Sequence, residues 1–216
     1  MTPNHVPAAR VAMAFGAVAL FGRNAWADAA ALALTIAAIG LDALDGHLAR
    51  RRKLSTPLGA QLDILGDRVV ENLFFTFFAV TGLVSLWVPV TFFARGGLTD
   101  FLRGLAALTG RSGFGKNSML ETWWGRALVA SRASRAAYAT LKCVCFCALG
   151  LQLTFRHLPA AESGGMSLPW FAWFAQALVA ITVVFCLIRA VPVVWEGRRY
   201  LGVLAPAAKQ IAGAAR

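Results

Sequence analysis

Long apolar runs dominate this chain and limit what it can fold into. A helix that crosses a bilayer needs about 20 mostly apolar residues, and windows of that length identify about six candidates. Hydrophobic residues make up 58% of the 216 residues and charged residues 14%, which is more apolar than a typical soluble domain. The candidate spans are approximately 6–21, 28–47, 61–83, 87–108, 135–155 and 168–195. The sequence therefore predicts an all-α, polytopic membrane protein with about six transmembrane helices.

Basic residues between these runs predict the orientation. The formal net charge is +11, but Lys and Arg occur in short segments rather than along one solvated face, which argues against a nucleic-acid partner. Basic segments follow the second, fourth and sixth spans. Because positive loops face the cytoplasm, we expect both the N- and C-termini to be cytoplasmic. Residues 1–205 are predicted to form one membrane domain and residues 206–216 a short basic tail.

Five of the ten acidic residues crowd into residues 42–71, within otherwise apolar sequence. Asp42 and Asp45 are three residues apart and Asp63 and Asp67 are four apart, so each pair projects from one face of a helix. A basic segment separates the two pairs and predicts the turn of a helical hairpin. Such a hairpin would bring four carboxylates together near the cytoplasmic ends of two spans.

Four clustered carboxylates need compensation, because charges inside a membrane are costly and like charges repel. Oxygen ligands without His or Cys suit hard cations such as Mg²⁺ or Mn²⁺, and four carboxylates can hold two metals of the kind used in phosphoryl transfer. Charge alone leaves open a salt-bridged hairpin neutralised by Arg50, Arg51 and Arg68. A transporter or channel is a further alternative, but its acids would be spread over several spans, whereas these gather in one hairpin.

Small residues accompany the acids and favour a ligand pocket. Gly46 lies one helical turn after Asp42, and Gly59 lies one turn before Asp63. Small side chains let backbones approach closely and leave room for a ligand. Arg50, one turn beyond Gly46, can reach a phosphate at the membrane surface. Carboxylates, small residues and an arginine together predict a pocket that cleaves a pyrophosphate.

This stretch resembles the signature of the CDP-alcohol phosphotransferase family. The matching segments are DALDGHLAR at residues 42–50 and, eight residues later, GAQLDILGD at residues 59–67. They agree at all eight defining positions of the pattern D-x-x-D-G-x-x-A-R-x(8)-G-x-x-x-D-x-x-x-D. The resemblance implies a six-helix membrane enzyme that transfers a phosphatidyl group from CDP-diacylglycerol to an alcohol and releases CMP.

The resemblance also implies roles for individual residues. The ligands of a two-metal site, occupied by Mg²⁺ or Mn²⁺, would be Asp42, Asp45, Asp63 and Asp67. Asp67 would also be the base that takes the proton from the acceptor hydroxyl. The residues lining the CDP site would be Gly46, Ala49, Arg50 and Gly59.

The acceptor alcohol is less constrained by the sequence. Residues 2–10 and 95–107 resemble segments of the phosphatidylglycerophosphate synthase branch, but a later basic segment of that branch is only partly present at residues 115–118. Cations available for a phosphorylated acceptor are Arg103, Arg132, Arg135 and Lys142. The alternative for Arg132 and Arg135 is that they are ordinary membrane anchors. We predict glycerol 3-phosphate as the acceptor, with inositol phosphate second and a free alcohol such as serine or choline as alternatives.

Three further expectations concern the whole protein. Arg10, the apolar run after it and the segment Ala25–Ala27 resemble a secretory signal, but Arg23 interrupts the pattern and further spans follow, so we expect this segment to be retained. We expect an integral protein of a bacterial inner membrane, and the basic segments predict that its active site lies on the cytoplasmic side. The sequence leaves the oligomeric state open, and a homodimer is compatible with it.

Overall fold

The computed structural model describes residues 5–52, 57–111, 117–157 and 169–203, and gives only the backbone for residues 5–7, 42–52, 57, 58, 60 and 203. The described residues form helices and connecting turns, with no β-strand among them. The helices are α1 (His5–Leu20), α2 (Ala25–Arg52), α3 (Pro57–Val80), α4 (Trp87–Leu108), α5 (Trp123–Gly125), α6 (Arg132–His157) and α7 (Pro169–Gly197). A π-helical turn, Arg126–Ala130, follows α5, and a 3₁₀ helix, Arg198–Val203, follows α7.

The prediction of an all-α chain is confirmed, and each of the six predicted spans corresponds to a long helix. By length and composition, Arg132–His157 and Pro169–Gly202 are long and apolar enough to cross a membrane, and two shorter apolar helices are Ala8–Leu20 and Ala25–Leu41. The number of membrane crossings and the side on which the termini lie stay predictions. The predicted basic tail, residues 206–216, lies outside the described residues.

The turn between α1 and α2 is held by local polar contacts. Gly22 has φ +84°, a left-handed conformation that glycine adopts without strain. Its N–H donates to Asp28 Oδ1 at 2.6 Å, and the other oxygen of this buried carboxylate lies 2.5 Å from His157 Nδ1. Asn24 caps α2, because its Oδ1 accepts a hydrogen bond from Ala27 N–H at 2.9 Å.

The chain divides into two compact units. The first unit comprises Met1–Val90 and Leu141–Ile181. Within it α1 packs against α2 and α3, and aromatic side chains fill the core. Phe146 of α6 lies with its ring centroid 5.1 Å from that of Phe74 and 4.9 Å from that of Phe75, both on α3. These ring contacts pack α6 against α3 within the first unit.

The second unit comprises Thr91–Thr140 and Thr182–Arg216. Its apolar core includes Leu105, Met119, Leu120, Val129 and Val193. A buried carboxylate, Glu196, ties the end of α7 to the start of α5. It accepts hydrogen bonds from Glu121 N–H at 2.5 Å and from Thr122 Oγ1 at 2.5 Å.

Candidate active site

Two of the four predicted metal ligands, Asp63 and Asp67, converge on one guanidinium. Arg10 Nη1 lies 3.4 Å from Asp63 Oδ1, and Arg10 Nη2 lies 2.5 Å from Asp67 Oδ1. The arginine is only 4% exposed, whereas the Asp63 and Asp67 side chains are 54% and 51% exposed. The prediction that these acids share one face of a helix is therefore confirmed. Their half-exposed carboxylates remain accessible to a ligand.

The other pattern residues lie at two helix ends. The end of α2 carries Asp42, Asp45, Gly46, Ala49 and Arg50, whose side chains lie outside the described part of the structure. Gly59 lies in the first turn of α3 and is half-buried. The helices α2 and α3 follow one another in the order expected for the hairpin, and the residues that join them lie outside the described residues, so the hairpin stays a prediction. Whether the four aspartates meet stays a prediction.

The fit of a divalent cation can be judged from Asp63 and Asp67. Both carboxylates contact one guanidinium and so already face a common cation, and carboxylate oxygens suit Mg²⁺ and Mn²⁺. Among the described side chains no group of three or more His, Cys, Asp or Glu residues could hold a metal ion. A complete ligand set therefore requires Asp42 and Asp45 as well.

A second ion-pair group lies one helical turn beyond Asp67. Glu71 is buried, and its Oε2 lies 3.3 Å from Arg68 Nη1 and 3.4 Å from Lys142 Nζ. Arg68 was one of the three arginines that could neutralise the aspartates in a salt-bridged hairpin. In the structure it contacts Glu71 in this group. Lys142 joins α6 to α3, so its charge inside an apolar helix has a partner in the protein.

Arginines gather in the second unit around Tyr138. Arg95 and Arg189 lie over the Tyr138 ring, with Cζ atoms 5.9 Å and 5.2 Å from its centroid. Positive charge from Arg103 and Arg135 also acts on Arg189. Arg189 donates to Leu128 O at 2.6 Å and to Ser134 Oγ. The structure thus brings two of the predicted acceptor residues, Arg103 and Arg135, into the surroundings of one buried arginine.

This arginine group keeps unused donors. The Nε atoms of Arg95 and Arg189 are buried and have no hydrogen-bond partner among the described residues. Arg103 pairs with Asp100 at 3.1 Å. Arg132, the remaining predicted acceptor residue, is exposed at the start of α6, which also suits the alternative of a membrane anchor.

Sequence reasoning did not single out three residues that the structure places at these sites. Arg10 was considered only within the N-terminal segment, and Arg95 only within residues 95–107. Arg189 was not considered, although an arginine in the middle of the most apolar helix is a signal of function. For Arg10 no local pattern pointed to the partners, because they lie 53 and 57 residues away along the chain.

Long apolar helices and a half-exposed carboxylate pair on α3 define a class of helical proteins in which a membrane setting is plausible. Within that class the chain belongs to the CDP-alcohol phosphatidyltransferase family, whose model matches residues 1–195. No curated protein sequence matches the chain significantly. The family consists of integral membrane proteins that transfer a phosphatidyl group from a CDP-alcohol to an alcohol acceptor in phospholipid synthesis, and it is generally dependent on divalent metal.

Proposed function

We propose that this enzyme transfers the phosphatidyl group of CDP-diacylglycerol to a small phosphorylated alcohol and releases CMP. Glycerol 3-phosphate is the proposed acceptor, which would assign the chain to the phosphatidylglycerophosphate synthase branch. Inositol phosphate is the second choice, and serine or choline would place it in another branch. The observation that supports the general reaction is the contact of both Asp63 and Asp67 with Arg10, because it gathers two motif carboxylates at one point.

The proposed chemistry is a direct displacement at the lipid-side phosphorus. Asp67 takes the proton of the acceptor hydroxyl while the hydroxyl oxygen forms a bond to that phosphorus. At the same time the bond from phosphorus to the CMP oxygen breaks. The electron pair of that bond leaves with CMP. Mg²⁺ or Mn²⁺, when bound, supplies positive charge that polarises the diphosphate and stabilises the leaving group. The residues that would hold it are Asp42, Asp45, Asp63 and Asp67.

The cytidine diphosphate would lie over the small residues of the hairpin. The residues proposed to line its site are Gly46, Ala49, Arg50 and Gly59. Glycine and alanine permit close approach of the diphosphate to the helix backbones. Arg50 would bind a phosphate oxygen through charge-assisted hydrogen bonds.

The arginines of the second unit support the proposal that the acceptor carries a phosphate. Buried guanidinium groups are costly unless they are paired, yet Arg95 and Arg189 have Nε atoms without a hydrogen-bond partner among the described residues. A bound phosphate would supply the missing acceptors. We propose that Arg103 and Arg135 add to this group, and Arg132 and Lys142 remain candidates for the same role.

The proposed setting is a bacterial inner membrane, with about six spans, cytoplasmic termini and a cytoplasmic active site. Residues 1–205 would be one membrane domain, and the protein would act as a monomer or a homodimer. Basic segments after the second, fourth and sixth long helices support this orientation.

Release of CMP by purified protein tests the proposed reaction. We expect turnover of CDP-diacylglycerol with glycerol 3-phosphate, loss of turnover in EDTA, and recovery with Mg²⁺ or Mn²⁺. Asp63→Asn and Asp67→Asn should abolish CMP release while the protein stays folded in detergent. Activity of both variants within about threefold of wild type would refute the metal and base assignments. Faster turnover of serine or free inositol would refute the phosphorylated acceptor.

A further inference from the structure

The buried guanidinium of Arg10 occupies the carboxylates that are proposed to bind metal. Its Nη2 is 2.5 Å from Asp67 Oδ1, and its Nη1 is 3.4 Å from Asp63 Oδ1. Arg10 lies on α1, whereas both aspartates lie on α3. This contact therefore ties two helices together through the two motif carboxylates of α3.

A divalent cation and Arg10 repel each other at this site. Mg²⁺ binds carboxylate oxygen at about 2.0–2.1 Å, so a cation on Asp67 Oδ1 would lie within about 5 Å of Arg10 Nη2. At that separation the repulsion between a divalent cation and a guanidinium is large even with partial solvent screening. A cation must therefore displace Arg10 from the carboxylates, or it binds less tightly because Arg10 stays in place.

We propose that Arg10 is an internal counter-cation that competes with the divalent metal for the carboxylates of Asp63 and Asp67. This inference rests on the proposed metal-dependent function. Before metal binds, Arg10 neutralises the carboxylate pair and holds α1 to α3. The diphosphate of a CDP substrate offers Arg10 another anion, so binding of the diphosphate and binding of the metal favour each other.

Mn²⁺ binding to the detergent-solubilised protein tests the competition, with free Mn²⁺ measured by electron paramagnetic resonance in the absence of substrate. We expect Arg10→Met to bind Mn²⁺ about tenfold more tightly than wild type, because one repelling charge is gone. Arg10→Gln provides a second neutral variant if the methionine variant does not fold. Arg10→Lys should stay near wild type, since it keeps the charge. Arg23→Met is the matched control, because it removes an exposed arginine from the turn after α1.

A second measurement adds CDP to the same samples. CDP should raise the Mn²⁺ affinity of wild type more than that of Arg10→Met, because only the wild type has a guanidinium to be taken up by the diphosphate. Equal or weaker Mn²⁺ binding by both neutral variants would overturn the competition. Asp63→Asn separates this failure from that of the proposed function: if it leaves Mn²⁺ affinity unchanged, the carboxylate pair is not the metal site.

Discussion

Replacing Lys142 by Met tests the acceptor assignment most sharply. Lys142 Nζ lies 3.4 Å from Glu71 Oε2, and the two side chains are 18% and 3% exposed. An ammonium group has three donors, so Glu71 can orient Lys142 while another N–H binds an acceptor phosphate. Methionine keeps the bulk and the apolar fit of the side chain but removes the charge.

Lys142→Met should have two separate effects. Loss of one charge-assisted contact to the acceptor costs roughly 1.5–3 kcal/mol, which corresponds to a rise of roughly ten- to a hundredfold in acceptor KM. The free energy of unfolding also falls, but by less than the roughly 3–5 kcal/mol expected for an orphaned buried charge. The reason is that Arg68 Nη1 remains 3.3 Å from the same Glu71 oxygen.

Steady-state kinetics, with glycerol 3-phosphate and CDP-diacylglycerol varied separately, measure the first effect. The matched control is Glu71→Gln, which removes the negative charge of the ion pair but keeps the charge of Lys142 and an amide oxygen that can still accept its hydrogen bond. Only Lys142→Met should raise the acceptor KM, while the KM for CDP-diacylglycerol stays within about twofold. If both variants lose stability and neither changes the acceptor KM, then Lys142 serves only as the partner of Glu71, and its acceptor role is refuted.

Two further predictions concern the second unit. Gly125→Ala should lower the free energy of unfolding by about 1–3 kcal/mol in a thermal unfolding assay, because the added Cβ would lie 2.7 Å from Glu196 Oε1. The control is Gly104→Ala, which should be neutral or stabilising because no described atom lies within 4 Å of its added Cβ. The hydrogen bond from Arg199 lowers the pKa of Glu121, so this pair stabilises the fold above the ordinary glutamate pKa and ceases to do so as pH falls through the lowered value. The unfolding temperature of Glu121→Gln should therefore fall less than that of wild type on acidification, and parallel pH profiles would contradict this.

Much of the fold was predictable because apolar runs of membrane-spanning length leave few alternatives. The boundaries of the six long helices lie within several residues of the predicted spans. The four-residue spacing of Asp63 and Asp67 predicted their common face, because side chains one turn apart on a helix point in similar directions. Both inferences depend only on local sequence.

The partners of the acids were less predictable, because ion pairing depends on tertiary packing. Arg68 follows Asp67 directly and was a natural candidate to neutralise it. Adjacent residues on a helix point about 100° apart, whereas residues three apart lie on one side. Arg68 accordingly pairs with Glu71, and the cation on Asp67 comes from α1. No local pattern specifies such a contact, because the hydrophobic packing of α1 on α3 sets it.

The two phosphate-bearing substrates are expected to respond differently to metal. A diphosphate that approaches Asp63 and Asp67 meets two carboxylates and one neutralising arginine, so net negative charge remains and a divalent cation is needed as a bridge. A phosphate near Arg95 and Arg189 meets cations belonging to the protein. EDTA should therefore abolish CDP binding and leave glycerol 3-phosphate binding within about threefold of its value with Mn²⁺, apart from screening by salt. Equilibrium dialysis with radiolabelled ligands in detergent measures both. If chelation removes glycerol 3-phosphate binding as well, the acceptor phosphate depends on the metal, and the arginine group is not its site.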